Sequence, residues 1–535
     1  MRPSPLALLA SPFLALLLAL VGCPKPEAPT EPAARPLEGV SLRLTVVDDP
    51  GLAGAITRLR GEWNSQTGAS LDVEEATEAK LLDSKALSGD AVICASHLLG
   101  VLAERGMIEP LPQPLLQDRE WAGIFELLKL REAAWARQTY AVPFGSPVLM
   151  CYYRADLLEK LGRKPPTTWP EYEDIAKLLA AEKPAGDGPW CGTIEPLAPG
   201  WAGLMLLARA APYAKHRDNY STLFNIDTME PLVAVPPVVQ ALEELAAAVK
   251  LGPADPFRYD PAAARAAFWS GQCGMALTWP TAAMERRKEK GEGRGESAEH
   301  RAEPSANSTQ RRAENGEGSG ESAARRAENA EPGLVASATS KPPEQQLPRT
   351  SPELRVGFVE LPGSRTVYNL SSQAWDRRSD EEERRVPLLS IAGRIGVMGA
   401  KSPRAEAAFQ LLLWLSSSRM SPQVSPSSPA TTLFRQTHLT SPGQWVEPPV
   451  SAAAAVQYAE AAQAALRHEQ WLAALPLPGR AEYLAALDEA VGAVVHGEKA
   501  ALNALMDADA KWRKITERLG LDRQKAAYRH SLGLE

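Results

Sequence analysis

Apolar residues change their spacing repeatedly along the chain, from the alternation of a strand to the three- and four-residue repeat of a helix. Leu42, Leu44 and Val46 alternate with polar residues, and the apolar residues of 52–63 recur at helical spacing. Leu71 to Glu74 and Asp90 to Cys94 are the next strand candidates. A β-α-β-α-β order of this kind predicts a parallel sheet with right-handed crossovers.

Some helix boundaries have recognisable end signals. A predicted helix over 98–105 stops at Gly106, the residue type that favours the left-handed conformation beyond a helix C-terminus. Thr168 and Glu171 have the spacing of a capping box at the start of another helix. The chain after about residue 451 is predicted to be almost entirely helical, and Gly520 is expected to end one of its helices.

Composition and charge exclude several classes of function. The chain has 535 residues, 44% of them apolar, which is enough for two or more packed globular domains. The net charge of −7 argues against nucleic acid as a partner, because such binding needs a basic face. Nucleophile-elbow, zincin and phosphate-loop motifs are missing from the sequence, and its seven histidines are scattered. We therefore expect no enzyme, no metal site and no cofactor.

The N-terminus has the features of an export signal that ends in a lipidated cysteine. Arg2 precedes an apolar stretch over 6–21, which is short for a membrane span and is followed closely by proline and lysine. The stretch ends at Leu-Val-Gly-Cys, so we predict a lipoprotein signal peptide over 1–22, lipidation of Cys23 and a Pro-rich tether over 23–40. A plain signal peptide with an incidental cysteine is the alternative. The folded part is expected to be exported and anchored through the lipid to the periplasmic or extracellular face of a membrane.

The composition changes sharply between residues 285 and 352. Lys, Arg, Glu, Gly, Ser and Pro dominate there, and large apolar residues nearly vanish. GEGRGESAEHRAE from Gly291 recurs as GEGSGESAARRAE from Gly316. We interpret 285–352 as a repeat-expanded, disordered insert within a domain, with a partner-binding tail of mixed charge as the alternative.

Four cysteines besides Cys23 lie far apart and lack the paired spacing of a zinc or redox site. They are Cys94, Cys151, Cys191 and Cys273. Disulfides in an oxidising compartment and buried free thiols both remain open for them, since sequence does not pair them.

The segment YAVPFGSPVLMCYYRADLLEKLGRKPPTTWPEYEDIAKLL, over 140–179, resembles the signature of bacterial extracellular solute-binding proteins of the family-one, maltose-binding-like type. The matching residues are Tyr140, Pro143, Phe144, Tyr153, Arg154, Asp156, Leu157, Gly162, Pro165, Pro166, Thr167, Thr168, Trp169 and Glu171. Three further blocks are similar to that family in the same order: FWSGQCGMALTWP over 268–280, the stretch over 357–415, and the C-terminal helices from Glu482. The resemblance thus covers nearly all of the chain between the tether and the C-terminus, apart from the insert.

The resemblance implies an α/β fold of the periplasmic-binding-protein-like type II, with two α/β lobes joined by hinge strands and a ligand cleft between them. It assigns 41–145, 275–284 and 353–395 to lobe 1, and 146–274 and the helical 396–535 to lobe 2. Ligands of open α/β sheets lie beyond the carboxyl ends of the strands, and a small solute would be enclosed by a hinge motion. The implied partners are a small-molecule ligand, by default a sugar, and the permease subunits of an ABC importer.

The resemblance also indicates which residues could face the cleft. Aromatic rings pack on the apolar faces of sugars, and the aromatic candidates are Trp201, Trp279, Tyr368 and Trp375, each with core or surface packing as its alternative. Asp48 and Asp49 follow the first strand, where they either face the cleft or cap the next helix. Ser96 and His97 follow the third strand, and Arg394 stands beside a hinge glycine.

One departure from the family pattern limits what the resemblance says about the ligand. Residues 94–98 read Cys-Ala-Ser-His-Leu, where maltose-binding relatives have a Trp-Ala-x-Asp-Arg type of sugar contact. Maltodextrin specificity therefore does not carry over. A ligand-sensing or structural surface lipoprotein with the same fold and no transport role is the alternative function.

Overall fold

The computed structural model describes residues 35–183, 188–283, 354–447 and 450–534. The predicted signal peptide, Cys23, most of the tether and the predicted insert at 285–352 lie outside these residues. The strands are β1 (Ser41–Val47), β2 (Ser70–Ala76), β3 (Ala91–Ala95), β4 (Ala134–Trp135), β5 (Gln138–Thr139), β6 (Ala141–Gly145), β7 (Met150–Arg154), β8 (Cys191–Ile194), β9 (Cys273–Thr278), β10 (Val356–Glu360), β11 (Thr366–Asn369), β12 (Ala374–Arg377), β13 (Leu388–Leu389), β14 (Arg394–Met398) and β15 (Leu472–Ala473). The α-helices are α1 (Pro50–Thr67), α2 (Glu78–Asp83), α3 (Leu99–Glu104), α4 (Arg119–Ala122), α5 (Glu126–Arg131), α6 (Ala155–Lys160), α7 (Trp169–Ala181), α8 (Ala202–Ala214), α9 (Pro236–Val249), α10 (Pro261–Trp269), α11 (Ala405–Leu415), α12 (Ser421–Val424), α13 (Ala452–Ala465), α14 (Arg480–Val495), α15 (Ala501–Leu519) and α16 (Leu521–Ser531).

The larger sheet has the strand order β2-β1-β3-β14-β6. β1 runs parallel to β2 and β3, with Leu44 opposite Val73 and Ala91, which confirms the parallel opening predicted from the apolar pattern. β14 returns antiparallel between β3 and β6, and Arg394 at its start lies opposite Ala95 at the end of β3. The loops after β1 and β3 and the start of β14 therefore share one edge of this sheet.

The smaller sheet has the strand order β10-β7-β9-β8. β7 is antiparallel to both of its neighbours, and β8 is parallel to β9 at the edge of the sheet. α7 packs closely on β8 and β9: a Cβ atom on Gly192 would lie 2.1 Å from the carbonyl oxygen of Ala176, so only glycine permits this approach. The two sheets are thus separate layers, each covered by its own helices.

The strand partners correct part of the predicted lobe boundaries. β10 lies within 353–395, which was predicted to return to lobe 1, yet it pairs with β7 of the smaller sheet. β14 belongs to the larger sheet and α11 packs on it, although 396–535 was predicted to belong to lobe 2. β9 stays in the smaller sheet as far as Thr278, past the predicted switch at residue 275. For these strands the predicted partition is wrong, because an apolar run identifies a strand but not its hydrogen-bonded neighbour.

The predicted helix-end signals are mostly present. Gly106 follows α3 with a φ of 62°, and Gly520 ends α15 with a φ of 94°. At α7 the capping interaction is displaced: the Thr168 side chain makes no cap hydrogen bond, and Glu171 accepts from the N–H and hydroxyl of Thr167 at 2.8 and 2.6 Å. Glu171 still fixes the start of the helix, from one residue farther back than a capping box requires.

A continuous apolar core runs through both sheets and their helices. α8 is buried along its whole length and packs against α9 and α14. Its one charged residue, Arg209, is paired with Glu195, and the guanidinium lies 3.9 Å from the centre of a Trp169 ring. The cation is therefore neutralised and covered by an aromatic face, the arrangement that a buried charge requires.

The cysteines of the described residues are buried free thiols in this structure, which is one of the two alternatives that sequence left open. They are Cys94, Cys151, Cys191 and Cys273. No helix within the described ranges has the length and apolar character needed to cross a membrane.

Candidate ligand site between the two sheets

β1 ends in two aspartates whose carboxylates have different surroundings. The buried Asp49 carboxylate accepts hydrogen bonds from the Leu52 N–H at the start of α1 (3.0 Å), from Arg394 Nε (2.8 Å) and from the Ser428 hydroxyl. Arg394 also donates to the carbonyl of Asp48 (3.1 Å). Asp49 is thus the helix cap that sequence offered as one alternative, and it also forms half of a buried ion pair. Asp49 and Arg394 hold β1, α1 and β14 together, which leaves neither side chain free.

Asp48 and His97 meet at Glu78, the first residue of α2. Asp48 has a left-handed φ of 48°, and its exposed carboxylate accepts the Glu78 N–H at 2.9 Å. His97 Nε2 lies 3.3 Å from a Glu78 carboxylate oxygen, and this hydrogen bond is the main cause that lowers the pKa of Glu78. Burial lowers the pKa of His97 more than Glu78 raises it. The imidazole is therefore neutral at pH 7 and donates from Nε2 to the carboxylate.

Two polar atoms after β3 are buried without a good hydrogen bond. Ser96 Oγ and His97 Nδ1 each have no partner among the described residues. The Ser96 hydroxyl is close enough to Glu132 to lower the pKa of that carboxyl, but the geometry is poor. An unpaired buried polar atom costs about 1–3 kcal/mol, so such atoms point to a group that completes the site.

Glu132 is a fully buried carboxylate behind Ser96. It accepts hydrogen bonds from the Ser390 N–H (2.6 Å) and the Ser146 hydroxyl (2.9 Å). Burial raises its pKa, and the hydrogen bonds offset that effect only in part. Gly393 gives it room, because a Cβ atom there would lie 3.0 Å from Glu132 Oε2 and 2.6 Å from Ser146 Oγ. Glu132 therefore ties the ends of β6 and β14 together beside the serine.

Arg480 approaches the same region from the helices beside the smaller sheet. It is the first residue of α14, and it donates to the carbonyls of Ala474 (3.0 Å) and Ile391 (3.2 Å). Burial lowers the pKa of Arg480 to about 10, and the charge of Glu78 opposes that shift. The guanidinium stays protonated at neutral pH and balances the Glu78 carboxylate across the gap between the two sheets.

Trp201 and Trp279 form an aromatic pair on the side of the smaller sheet. Their ring centroids are 5.6 Å apart with planes inclined by 39°. Trp279 follows β9 and donates its indole N–H to the carbonyl of Pro429 (2.8 Å), while Trp201 is half-buried just before α8. Ser428, the residue before Pro429, donates to Asp49. Residues 428–429 therefore form a bridge segment that contacts the larger sheet at Asp49 and the smaller sheet at Trp279.

The interlobe cluster consists of Asp48, Asp49, Glu78, Ser96, His97, Glu132, Arg394 and Arg480, and its charges are only partly paired. Asp49 forms an ion pair with Arg394, and the charge of Arg480 acts on Glu78, whose neighbour His97 is neutral. The carboxyl groups of Asp48 and Glu132 accept hydrogen bonds from N–H and hydroxyl groups instead. Within the described part of the chain, no set of three or more histidine, cysteine or acidic residues is placed to hold a metal ion. What remains available to a ligand is a set of neutral donors and acceptors and the exposed Asp48 carboxylate, beside aromatic rings.

Solved structures of solute-binding proteins share the fold of this chain. The sugar-binding protein MalE from Xanthomonas citri is 15% identical with a TM-score of 0.59, over 90% of this chain and 98% of that one. Maltose-bound MalE3 from T. maritima is 15% identical with a TM-score of 0.56, over 89% and 100%. An ABC transporter solute-binding protein from Agrobacterium radiobacter K84 in complex with ribitol is 17% identical with a TM-score of 0.56, over 90% and 100%. These similarities establish the type II two-lobed fold predicted from sequence.

The family model of bacterial extracellular solute-binding proteins matches residues 71–307. The chain is similar to that family over this stretch. Its members bind solutes rather than transform them, and they act outside the cytoplasm. The predictions of a non-enzymatic, exported protein are confirmed.

Two of the four predicted aromatic residues do not join the Trp201–Trp279 pair. Tyr368 and Trp375 are cross-strand neighbours in the β11–β12 hairpin, and Trp375 contacts Tyr213 near the C-terminus of α8 with centroids 6.2 Å apart. Trp201 precedes the N-terminus of the same 13-residue helix, which is about 20 Å long. Tyr368 and Trp375 therefore lie toward the opposite end of α8 from Trp201, and their place at the ligand cleft stays a prediction.

Three residues of the interlobe cluster were not identified from sequence. Glu78 stands two residues beyond β2, so the strand-end argument that selected Asp48 and Ser96 could have found it. Glu132 and Arg480 follow or begin helices with no distinctive local pattern. Their place in the site depends on how distant parts of the chain pack.

Proposed function

We propose that this protein captures a small, neutral, hydroxyl-rich solute, a carbohydrate or polyol, between its two sheets and delivers it to an ABC importer. The observation that carries the proposal is the pair of unpartnered buried atoms, Ser96 Oγ and His97 Nδ1, in the interlobe cluster. One can donate and the other accepts, which is the pair of functions that adjacent sugar hydroxyls require.

Charge pairing argues against an anionic ligand. A carboxylate ligand would need an unmatched cation, and the Arg394 guanidinium is already paired with Asp49 inside the protein. A hydroxyl group, by contrast, exchanges hydrogen bonds with neutral groups at little desolvation cost. The ribitol and maltose bound by proteins of the same fold are ligands of this class.

The aromatic pair supports the same class. Trp201 and Trp279 offer a large apolar surface next to polar groups, and the faces of sugar rings and polyol chains are themselves apolar. The chain crosses between the sheets directly after β6, where β7 begins five residues later. A hinge at that crossing lets the two sheets separate, admit a ligand and close on it.

Thermal-shift and intrinsic tryptophan fluorescence titrations of the exported full chain against sugars, polyols, amino acids and polyamines test the proposal. A ligand at a hundredfold excess over its dissociation constant stabilises the native state by about 2.7 kcal/mol. We expect a shift with a sugar or polyol and none with charged solutes. Shifts confined to amino acids or polyamines, or none from the whole panel, would overturn the proposal.

Site variants separate binding from folding. Trp201→Ala is expected to weaken binding at least tenfold, and Ser96→Ala to weaken it by about one hydrogen bond, roughly five- to tenfold. Trp375→Ala is the matched aromatic control, because that ring lies at the other end of α8. Thr222→Val is the control for the serine, since Thr222 Oγ1 is also buried without a partner among the described residues. Equal losses in the site variants and their controls would assign the effect to folding.

We further propose that Cys23 is lipidated and anchors the protein to a membrane. The Leu-Val-Gly-Cys sequence after an apolar stretch supports this, together with a family that acts outside the cytoplasm. Growth of cells with a radiolabelled fatty acid should label the wild-type chain and not the Cys23→Ala variant. Label retained by Cys23→Ala, or absent from wild type, would exclude lipidation at this residue.

A further inference from the structure

Cys191 and Cys273 occupy matching positions on neighbouring strands. They are the first residues of β8 and β9, and the parallel register places them directly opposite one another. Neighbouring strands are about 4.8 Å apart, and disulfides join residues whose Cα atoms are about 4.4–6.8 Å apart. β8 has only four residues and lies at the sheet edge, so its first residue can adjust toward its neighbour.

The Cys191 thiol also lies close enough to Cys273 to affect its pKa. Burial is the main cause that raises the pKa of Cys273, and the neighbouring Cys191 thiol raises it further. Cys191 Sγ lies 3.6 Å from the carbonyl oxygen of Gln272, the residue before Cys273. Both sulfurs are therefore held on the same side of the β8–β9 pair.

Neither of the other two described cysteines has a cysteine opposite it. Cys151 in β7 lies opposite Leu277, and its thiol contacts the sulfur of Met275 at 3.9 Å. Cys94 belongs to the larger sheet and lies opposite Ile395. The fold therefore reduces the pairings that sequence left open to one.

We propose that Cys191 and Cys273 form a disulfide bond in the exported protein. The two thiols lose two electrons and two protons as the sulfur–sulfur bond forms. A disulfide-bearing oxidoreductase of the extracytoplasmic compartment accepts them and becomes a dithiol, through a mixed disulfide with one of the two cysteines. The step precedes burial of the strands, while the thiols are still accessible. The proposal depends on export and not on ligand capture.

The bond has a definite structural consequence. It closes a loop of about 80 residues that contains α8, α9 and α10, and it fastens the edge strand β8 to the central strand β9. Loops of this length gain most from a cross-link, because the unfolded chain loses the most freedom. Trp201 lies within the loop and Trp279 lies just beyond it, so the bond also fixes the aromatic side of the interlobe cluster.

Differential alkylation of the full chain, purified from the extracytoplasmic fraction of the cells that export it, tests the proposal. The protein is denatured in acid and labelled with N-ethylmaleimide before reduction, then reduced and labelled with a second, heavier reagent. We expect the first label on Cys94 and Cys151 and the second on Cys191 and Cys273. A protease digest without reduction should yield the two latter cysteines in one linked pair of peptides.

Variants and compartment provide the controls. Cys191→Ser should expose Cys273 to the first label, whereas Cys94→Ser should leave the link unchanged. The same chain retained in a reducing cytoplasm should carry the first label on all four residues. First-step labelling of Cys191 and Cys273 in the exported wild-type protein, or a link that joins either of them to another residue, would overturn the proposal. The wild-type chain alone gives this answer, whether or not a variant folds.

Discussion

Replacement of Arg394 by methionine tests whether the Asp49–Arg394 ion pair stabilises the fold by holding β1, α1 and β14 together. The two side chains are 10% and 1% exposed, with Arg394 Nε 2.8 Å from the carboxylate. Methionine keeps much of the apolar length and removes the charge and the donors. The Asp49 carboxylate is then left buried with only the Leu52 N–H and the Ser428 hydroxyl.

The expected loss follows from that geometry. Removing one partner of a buried ion pair costs about 3–5 kcal/mol, because the remaining charge is uncompensated. Arg419→Met is the matched control: Arg419 lies 2.7 Å from Glu62, yet it is 72% exposed, so the loss should stay below about 1 kcal/mol. The double variant Asp49→Asn/Arg394→Met should lose at least 1 kcal/mol less than the sum of the single losses.

Urea unfolding followed by tryptophan fluorescence and by circular dichroism gives the free energies of unfolding. The two probes must coincide for each variant to be compared. A loss at Arg394 no larger than that at Arg419, or strict additivity in the double variant, would refute the view that this pair is a coupled, buried support.

Two further changes test other parts of the molecule. Burial lowers the pKa of His468, but the Glu360 carboxylate outweighs burial and raises the pKa above its ordinary value. The ion pair therefore stabilises the fold below pH 6.5, and this stabilisation is lost as the pH rises through the pKa of the folded protein. His468→Gln should therefore reduce the unfolding free energy at pH 5.5 more than at pH 9, and an equal loss at both pH values would contradict this. Gly393→Ala should cost about 1–3 kcal/mol, because its Cβ would lie 2.6 Å from Ser146 Oγ, whereas Gly443→Ala, with open space around its Cβ, should change stability little. Similar melting temperatures for the two alanine variants would show that the neighbours of Gly393 can accommodate a Cβ atom.

The parts of the fold that sequence predicts are those set by local pattern. Alternation at Leu42, Leu44 and Val46 is sufficient for β1, and the β-α-β-α-β order is sufficient for its parallel neighbours. The sheet to which β10 or β14 belongs is not a local property, because each is a short strand whose hydrogen-bonded neighbours lie about 200 to 300 residues earlier in the chain.

In the candidate site, too, some residues are predictable from local pattern and others are brought in by the packing of distant segments. Asp48, Ser96 and His97 follow strands whose ends meet, so a strand-end argument selects them correctly as neighbours. Tyr368 and Trp375 were selected through the family resemblance, and their hairpin packs on the far end of α8. Arg480 is brought in by the packing of α14 on α8, a contact between parts of the chain nearly 300 residues apart that no local pattern encodes.

The unpartnered atoms after β3 connect stability with capture. A buried hydroxyl without a partner lowers the stability of the empty protein by about 1–3 kcal/mol, and a ligand hydroxyl that completes its hydrogen bond recovers that free energy on binding. Ser96→Ala should therefore leave the melting temperature of the empty protein unchanged or raise it, while it reduces the ligand-induced shift. A structural serine gives the opposite sign, because its loss lowers the melting temperature and leaves the ligand-induced shift intact. The two signs, measured on one variant, distinguish a group held for a ligand from one held for the fold.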